Sequence, residues 1–137
     1  MKILPLAVLL AASVAAGGAQ AHHSGSMWEP TKTVDLKGTV RAFQWTNPHS
    51  WLQVVVEKPG GGTEEWSIEM ASPNVLGHKG WKPSTVKPGD KVEVVVHPLI
   101  AGGPSGSYVS AILPDGTVMN TGSGSGAGSP PPPRPAG

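Results

Sequence analysis

The chain has no cysteine, and only one tyrosine and one phenylalanine. Without thiols it has no disulfide staple, no thiolate metal site and no cysteine nucleophile. Ten basic residues face nine acidic ones, for a formal net charge of +1. No basic stripe therefore points to nucleic acid. The one conspicuous apolar run lies at the start and is too short to span a bilayer. Catalytic signatures are also missing. There is no G-x-S-x-G elbow, no phosphate-binding loop with its lysine and no H-E-x-x-H pair. Glycines 60–62 have no following helix to aim at a phosphate. Glu64 and Glu65 are adjacent in a strand, so they face opposite ways and form no carboxylate pair. These absences favour a non-enzymatic protein with neither a nucleic-acid nor a membrane partner.

Residues 1–21 read as a secretory signal peptide. Lys2 supplies the positive start, Ile3 to Ala16 the apolar stretch, and Ala19-Gln20-Ala21 the small-residue cleavage site. Removal of this segment loses Lys2 and leaves nine basic against nine acidic residues. The expectation is a periplasmic or secreted protein, with no membrane attachment once the signal is cut. At the other end, residues 121–137 are Gly, Ser and Ala followed by Pro130 to Pro133. That composition buries too little apolar surface to offset its ordering entropy, so a disordered tail is expected.

Residues 22–32 form an N-terminal segment, and residues 33–120 carry strand signals. Val34, Leu36, Val40 and Ala42 share one parity, whereas Phe43 and Trp45 take the other. With Gly38 inside the run, this phase switch predicts a bent, bulged first strand. Asn47-Pro48 breaks it. A second strand runs from His49 to Glu57, with Leu52, Val54 and Val56 on one face and His49, Trp51, Gln53 and Val55 on the other. After the Pro59-Gly60-Gly61-Gly62 turn, Glu64 to Met70 alternates, with Trp66, Ile68 and Met70 inward. Ser72 is a good helix cap and Pro73 suits the first helical position, so a short helix is predicted over 72–77. Lys91 to Leu99 and Tyr108 to Leu113 complete the strands. A mobile loop at 102–106 separates them, and Pro114-Asp115-Gly116 makes a tight turn before Thr117 to Met119. Three strands, a short helix and two strands is the layout of a five-stranded OB-like barrel, an all-β fold. An immunoglobulin-like sandwich would want about seven strands.

Several blocks resemble the domain-of-unknown-function 6152 family of small exported bacterial proteins. They are Ala21-His22-His23-Ser24, Leu36-Lys37-Gly38 and Trp45-Thr46-Asn47-Pro48-His49-Ser50-Trp51. Trp66, Glu69, Ser72-Pro73-Asn74, Gly80-Trp81, Lys87-Pro88-Gly89-Asp90 and Leu113-Pro114-Asp115-Gly116 continue the match. The resemblance spans residues 22–118 and implies export and the barrel. It implies no activity.

Two constellations carry chemistry. Cleavage after Ala21 puts His22 at a free N-terminus, followed by His23. The amine and imidazoles, joined by His49, make a nitrogen-rich set suited to copper, with zinc and nickel behind it. Met27 and Glu29 are further candidate ligands. The other reading of these residues is a solvated N-terminus with a separate rim histidine. The second constellation is the corner formed by Trp45, Asn47 and Trp51 among five tryptophans. It reads either as a platform for a protein, peptide or glycan, or as packing under a neighbouring segment. Trp66 reads as core. His78, His97 and Glu69 read as solvated residues. A metal-binding module and a Trp-corner interaction module are thus the two principal functional expectations. A metal-dependent oxidase or hydrolase is a third, built on the same histidines with open coordination positions.

Overall fold

The computed structural model describes residues 27–120. It contains β1 (Val34–Gln44), β2 (Trp51–Glu57), β3 (Thr63–Glu69), α1 (Pro73–His78), β4 (Lys91–Pro98), β5 (Ser105–Ile112) and β6 (Val118–Asn120). The sheet order is β3-β2-β1-β4-β5-β6, and an added parallel pairing of β3 with β5 closes the first five strands into a barrel. This is the expected five-stranded OB-like barrel with its short helix between the third and fourth strands. The sixth strand is an addition. It folds back by the turn at Pro114–Gly116 and pairs with Ser110–Ile112. The chain expected to be a loop up to Gly106 already pairs as β5 from Ser105, because Ser67 lies opposite Ser105.

The alternation read from sequence decides what lies inside. Leu36, Val40, Leu52, Val54, Ile68, Met70, Val92, Val94 and Val96 form one buried cluster with Tyr108 and Ala111. Trp66 packs against it from β3. Ser72 caps α1, accepting from the Val75 amide at 3.4 Å, and Pro73 opens the helix. Leu76, Trp81 and Val86 from α1 and its connection join the same cluster, so the helix serves to cover the barrel core. His78 is the last helical residue, and its Nδ1 donates to the Asn74 carbonyl at 2.7 Å.

β1 is shared. Its first half pairs with β4 and its second half with β2, with Gly38 opposite both Val92 and Val56. A side chain at Gly38 would run into the Val55 carbonyl and come within 2.7 Å of Val54 Cγ1. Gly38 is thus the point of close approach, while the extra residue that shifts the register is Arg41, between Val40 and Ala42. The phase switch seen in sequence is that bulge. A second irregularity, between Val95 and Val96 in the β4 to β5 pairing, makes Val109 the extra residue of β5.

The described part of the N-terminal segment belongs to the barrel. Trp28 is buried and bridges Leu99, Glu29 donates its amide to the Pro98 carbonyl at 2.9 Å, and Ile100 donates to the Met27 carbonyl at 2.9 Å. His97 holds the loop between this bridge and β1, its Nδ1 donating to the Lys32 carbonyl at 2.8 Å.

Two stability outcomes follow from this packing. Gly38→Ala overpacks the β1–β2 approach and is expected to cost about 1–3 kcal/mol in urea unfolding. Gly77→Ala enters open space in α1 and is expected to raise stability by up to about 1 kcal/mol. Tyr108 donates its hydroxyl to the Met119 carbonyl at 2.6 Å. Burial pushes its phenol above the ordinary tyrosine value of 10.0. The folded protein therefore keeps the proton that the unfolded chain gives up. This contribution is complete below pH 10.0 and is lost as the pH rises further. Tyr108→Phe should cost about 1 kcal/mol at neutral pH. It should also remove part of the alkaline fall in stability that the wild-type protein shows.

Candidate functional site

The site is built at the corner where β1 gives way to β2. Thr46 Oγ1 donates to the His49 carbonyl at 2.8 Å and closes the turn, in which the Asn47–Pro48 peptide is cis. The β2–β3 ladder continues past the strand ends. Ser50 donates to the Ala71 carbonyl at 3.1 Å, and Met70 donates to the Ser50 carbonyl at 2.9 Å. That extension carries the Met70 carbonyl to within 3.0 Å of His49 Nδ1. A carbonyl only accepts, so Nδ1 holds the proton and donates. Nε2, which carries a lone pair whenever the ring is neutral, has no partner among the described residues.

Glu69 completes this corner. Its Oε1 lies 3.3 Å from His49 Nδ1, and its side chain is only 10% exposed, against 38% for His49. The expectation of a solvated strand glutamate is thus corrected. Glu69 does sit on the outward parity, but Trp51 stands directly opposite it on β2 and Ser107 on β5. A carboxylate at that depth needs a hydrogen-bonding or charged partner, and His49 is beside it. A signal for this was present in the sequence. Pairing Glu57 with Thr63 across the glycine turn carries, residue by residue, to Trp51 opposite Glu69.

Closure of the barrel lines these residues up. Partners across strands share a face, so one outer row reads Gln44, Trp51, Glu69, Ser107 and His97. The next row reads Ala42, Gln53, Ser67 and Ser105. Gln53 Nε2 donates to Ser67 Oγ at 3.1 Å, and Ser105 Oγ donates to the Ser67 carbonyl at 2.9 Å. Arg41, at the bulge beside this row, is 3.1 Å from Glu65 across β2.

The Trp corner divides between two environments. Trp45 packs against the core cluster and meets Phe43 edge-on, with centroids 5.7 Å apart. Trp51 is half-buried on the opposite, outer face, and Asn47 is exposed in the turn. His49, Glu69 and Trp51 are therefore brought together, and Trp45 belongs with the core. Met27 is exposed, and Glu29 is engaged locally, accepting from Thr31 Oγ1 at 2.6 Å. His22 and His23 lie outside the described residues. Among the described residues no group of three or more His, Cys, Asp or Glu side chains is placed to hold a metal ion.

Elsewhere, an open groove of about 800 Å³ runs over the outer face of β1, lined by Lys37, Thr39, Val55, Lys91, Glu93 and Leu113 among others. Its cations are engaged. Lys37 is 3.3 Å from Glu93, and Lys91 donates to Thr39 Oγ1 at 2.5 Å.

No curated protein matches the chain. Among solved structures, the mitochondrial single-stranded DNA-binding protein Rim1 of S. cerevisiae is similar at a TM-score of 0.44 and 14% identity. The similarity covers 60% of this chain and 93% of that one. A likeness at that level carries no functional argument. Residues 9–108 match a family described as being of unknown function, DUF6152. The match takes in β1 to β4, α1 and the whole His49, Trp51 and Glu69 corner, and ends at Tyr108 within β5. With most of its length matched, the chain belongs to the DUF6152 family.

Proposed function

We propose that this protein is an exported, non-enzymatic binding module that holds a metal ion, copper first. The ligands are His49 Nε2 and the amine and imidazoles of a mature N-terminus beginning His22-His23. The observation that carries the reading is the orientation of His49. Its Nδ1–H is engaged by the Met70 carbonyl at 3.0 Å and lies 3.3 Å from the Glu69 carboxylate. Metal-binding histidines commonly have this outer shell, because it fixes the tautomer and raises the basicity of the free nitrogen. Nitrogen ligands and the usual affinity order favour Cu(II) over Zn(II).

The test is a calorimetric copper titration, after intact mass has established that exported protein begins at His22. Copper is expected to bind more tightly than zinc, with release of protons and weakening on acidification. One extra N-terminal residue should remove most of the affinity. Glu69→Gln, which leaves His49 in place, should cost about 10–100-fold, and His49→Ala at least as much. Equal copper affinity in all four proteins would mean adventitious binding and would overturn the reading.

A further inference from the structure

The face next to His49 holds a further set of groups, of which metal binding draws only on Glu69, through His49. Trp51 is half-buried on the outside of the barrel, is not part of the core cluster, and is flanked by the polar side chains of the two outer rows. We infer that this face binds a neutral carbohydrate, with one sugar ring stacked on the Trp51 indole and its hydroxyls held by Glu69, Gln53 and Gln44. The inference is independent of the metal and needs no bound ion.

Four observations narrow the ligand to this class. The first is the buried carboxylate. Glu69 is nine-tenths buried, yet its one close polar neighbour among the described residues is His49, which meets a single oxygen. A carboxylate offers about four acceptor positions, so Glu69 retains capacity for donors such as hydroxyls and repels an anion. The second is the charge of the face. The two rows contain no lysine or arginine, and Arg41 beside them is paired with Glu65 at 3.1 Å. A phosphate-rich ligand would find no free cation here.

The third is that the backbone around Trp51, Gln53, Ser67 and Glu69 is fully used. β2 lies between β1 and β3, and the part of β3 carrying Ser67 and Glu69 lies between β2 and β5. No free strand edge is offered beside Trp51 and Glu69, so an extended peptide cannot bind there by adding a strand. The fourth is the mixture of an apolar plate with neutral polar groups at short range. Gln53 follows Trp51 on the same face about 7 Å along the strand, the scale of one pyranose ring with its hydroxyls. Its Nε2 donates to Ser67 Oγ. That leaves the Gln53 carbonyl oxygen as an acceptor and the Ser67 hydroxyl proton as a donor. An aromatic plate takes the C–H face of a sugar, while carboxylate, amide and hydroxyl groups meet its edge.

The experiment titrates the purified protein with neutral hexasaccharides of β-linked glucose and of β-linked N-acetylglucosamine. Tryptophan fluorescence and calorimetry are followed with and without EDTA. At least one sugar is expected to bind, unaffected by EDTA. Trp51→Ala should weaken binding about tenfold or more, with Trp51→Phe recovering part of the loss. Gln53→Ala should weaken it about fivefold. All variants are compared at equal melting temperature, since Trp51 and Gln53 lie on the outer face. Gln53→Ala should keep its copper affinity, and His49 need not bind metal for the sugar to bind, so the two readings fail separately. The carbohydrate site is overturned if neither sugar binds, if Trp51→Ala binds as the wild type does, or if a peptide or an anionic polymer binds this face more tightly.

Discussion

The arrangement depends on a short parallel seam between β3 and β5, where Ser67, Ile68 and Glu69 pair with Ser105, Gly106 and Ser107. Without it the strands form an open sheet, and the outer rows stop at β3. Gly106 makes the seam fit. A side chain there would come within 2.6 Å of Val96 Cγ2, so β5 comes this close to β4 only because the position is glycine. Ser67 strengthens the join from the backbone, donating its amide to the Pro104 carbonyl at 3.0 Å and accepting from Ser105 Oγ at its own carbonyl. Closure also removes the exposed edges that an open sheet of this length would present.

The seam and the bulge together determine what faces out. Arg41 shifts the parity of β1, which lets Phe43 turn toward Leu52 and the core while Gln44 comes to lie opposite Trp51. Phe43 then meets Trp81 at 5.6 Å, and Trp81 meets Tyr108 edge-on at 5.6 Å. This aromatic chain links β1 and β5 to the connection after α1. The barrel end that α1 covers is therefore aromatic, whereas the corner beside it carries the polar groups.

Glu69 is where packing and chemistry pull in different directions. Burying a carboxylate costs stability unless it is paired and hydrogen-bonded, and an apolar residue at the same depth would be the cheaper choice for folding alone. A carboxylate buried in this way tends to mark function, because the surrounding fold must hold it against that cost. Glu69 keeps the outward parity of β3 yet lies buried, next to a histidine whose Nε2 has no partner among the described residues and beside a half-buried indole.

Much of this was legible locally. The alternation of Leu52, Val54 and Val56, the Ser72-Pro73 helix start and the turn glycines determined the element order and the barrel. Local patterning and turn chemistry act over a few residues and need no tertiary contact. The phase switch in β1 announced a bulge, but its position at Arg41 and the close approach at Gly38 depend on which strands lie alongside. The site divides in the same way. That His49 and Trp51 share a face follows from their spacing of two. The burial of Glu69 and its approach to His49 appear only once β3 is laid against β2 and β5, and the proton on His49 Nδ1 is assigned only by the Met70 carbonyl. Trp28 reads from sequence as one more tryptophan in a polar segment. Its place under the end of β4 is decided by Leu99, seventy-one residues away. Contacts at such separations are decided by closure of the whole barrel, since neither partner carries a local signal for the other.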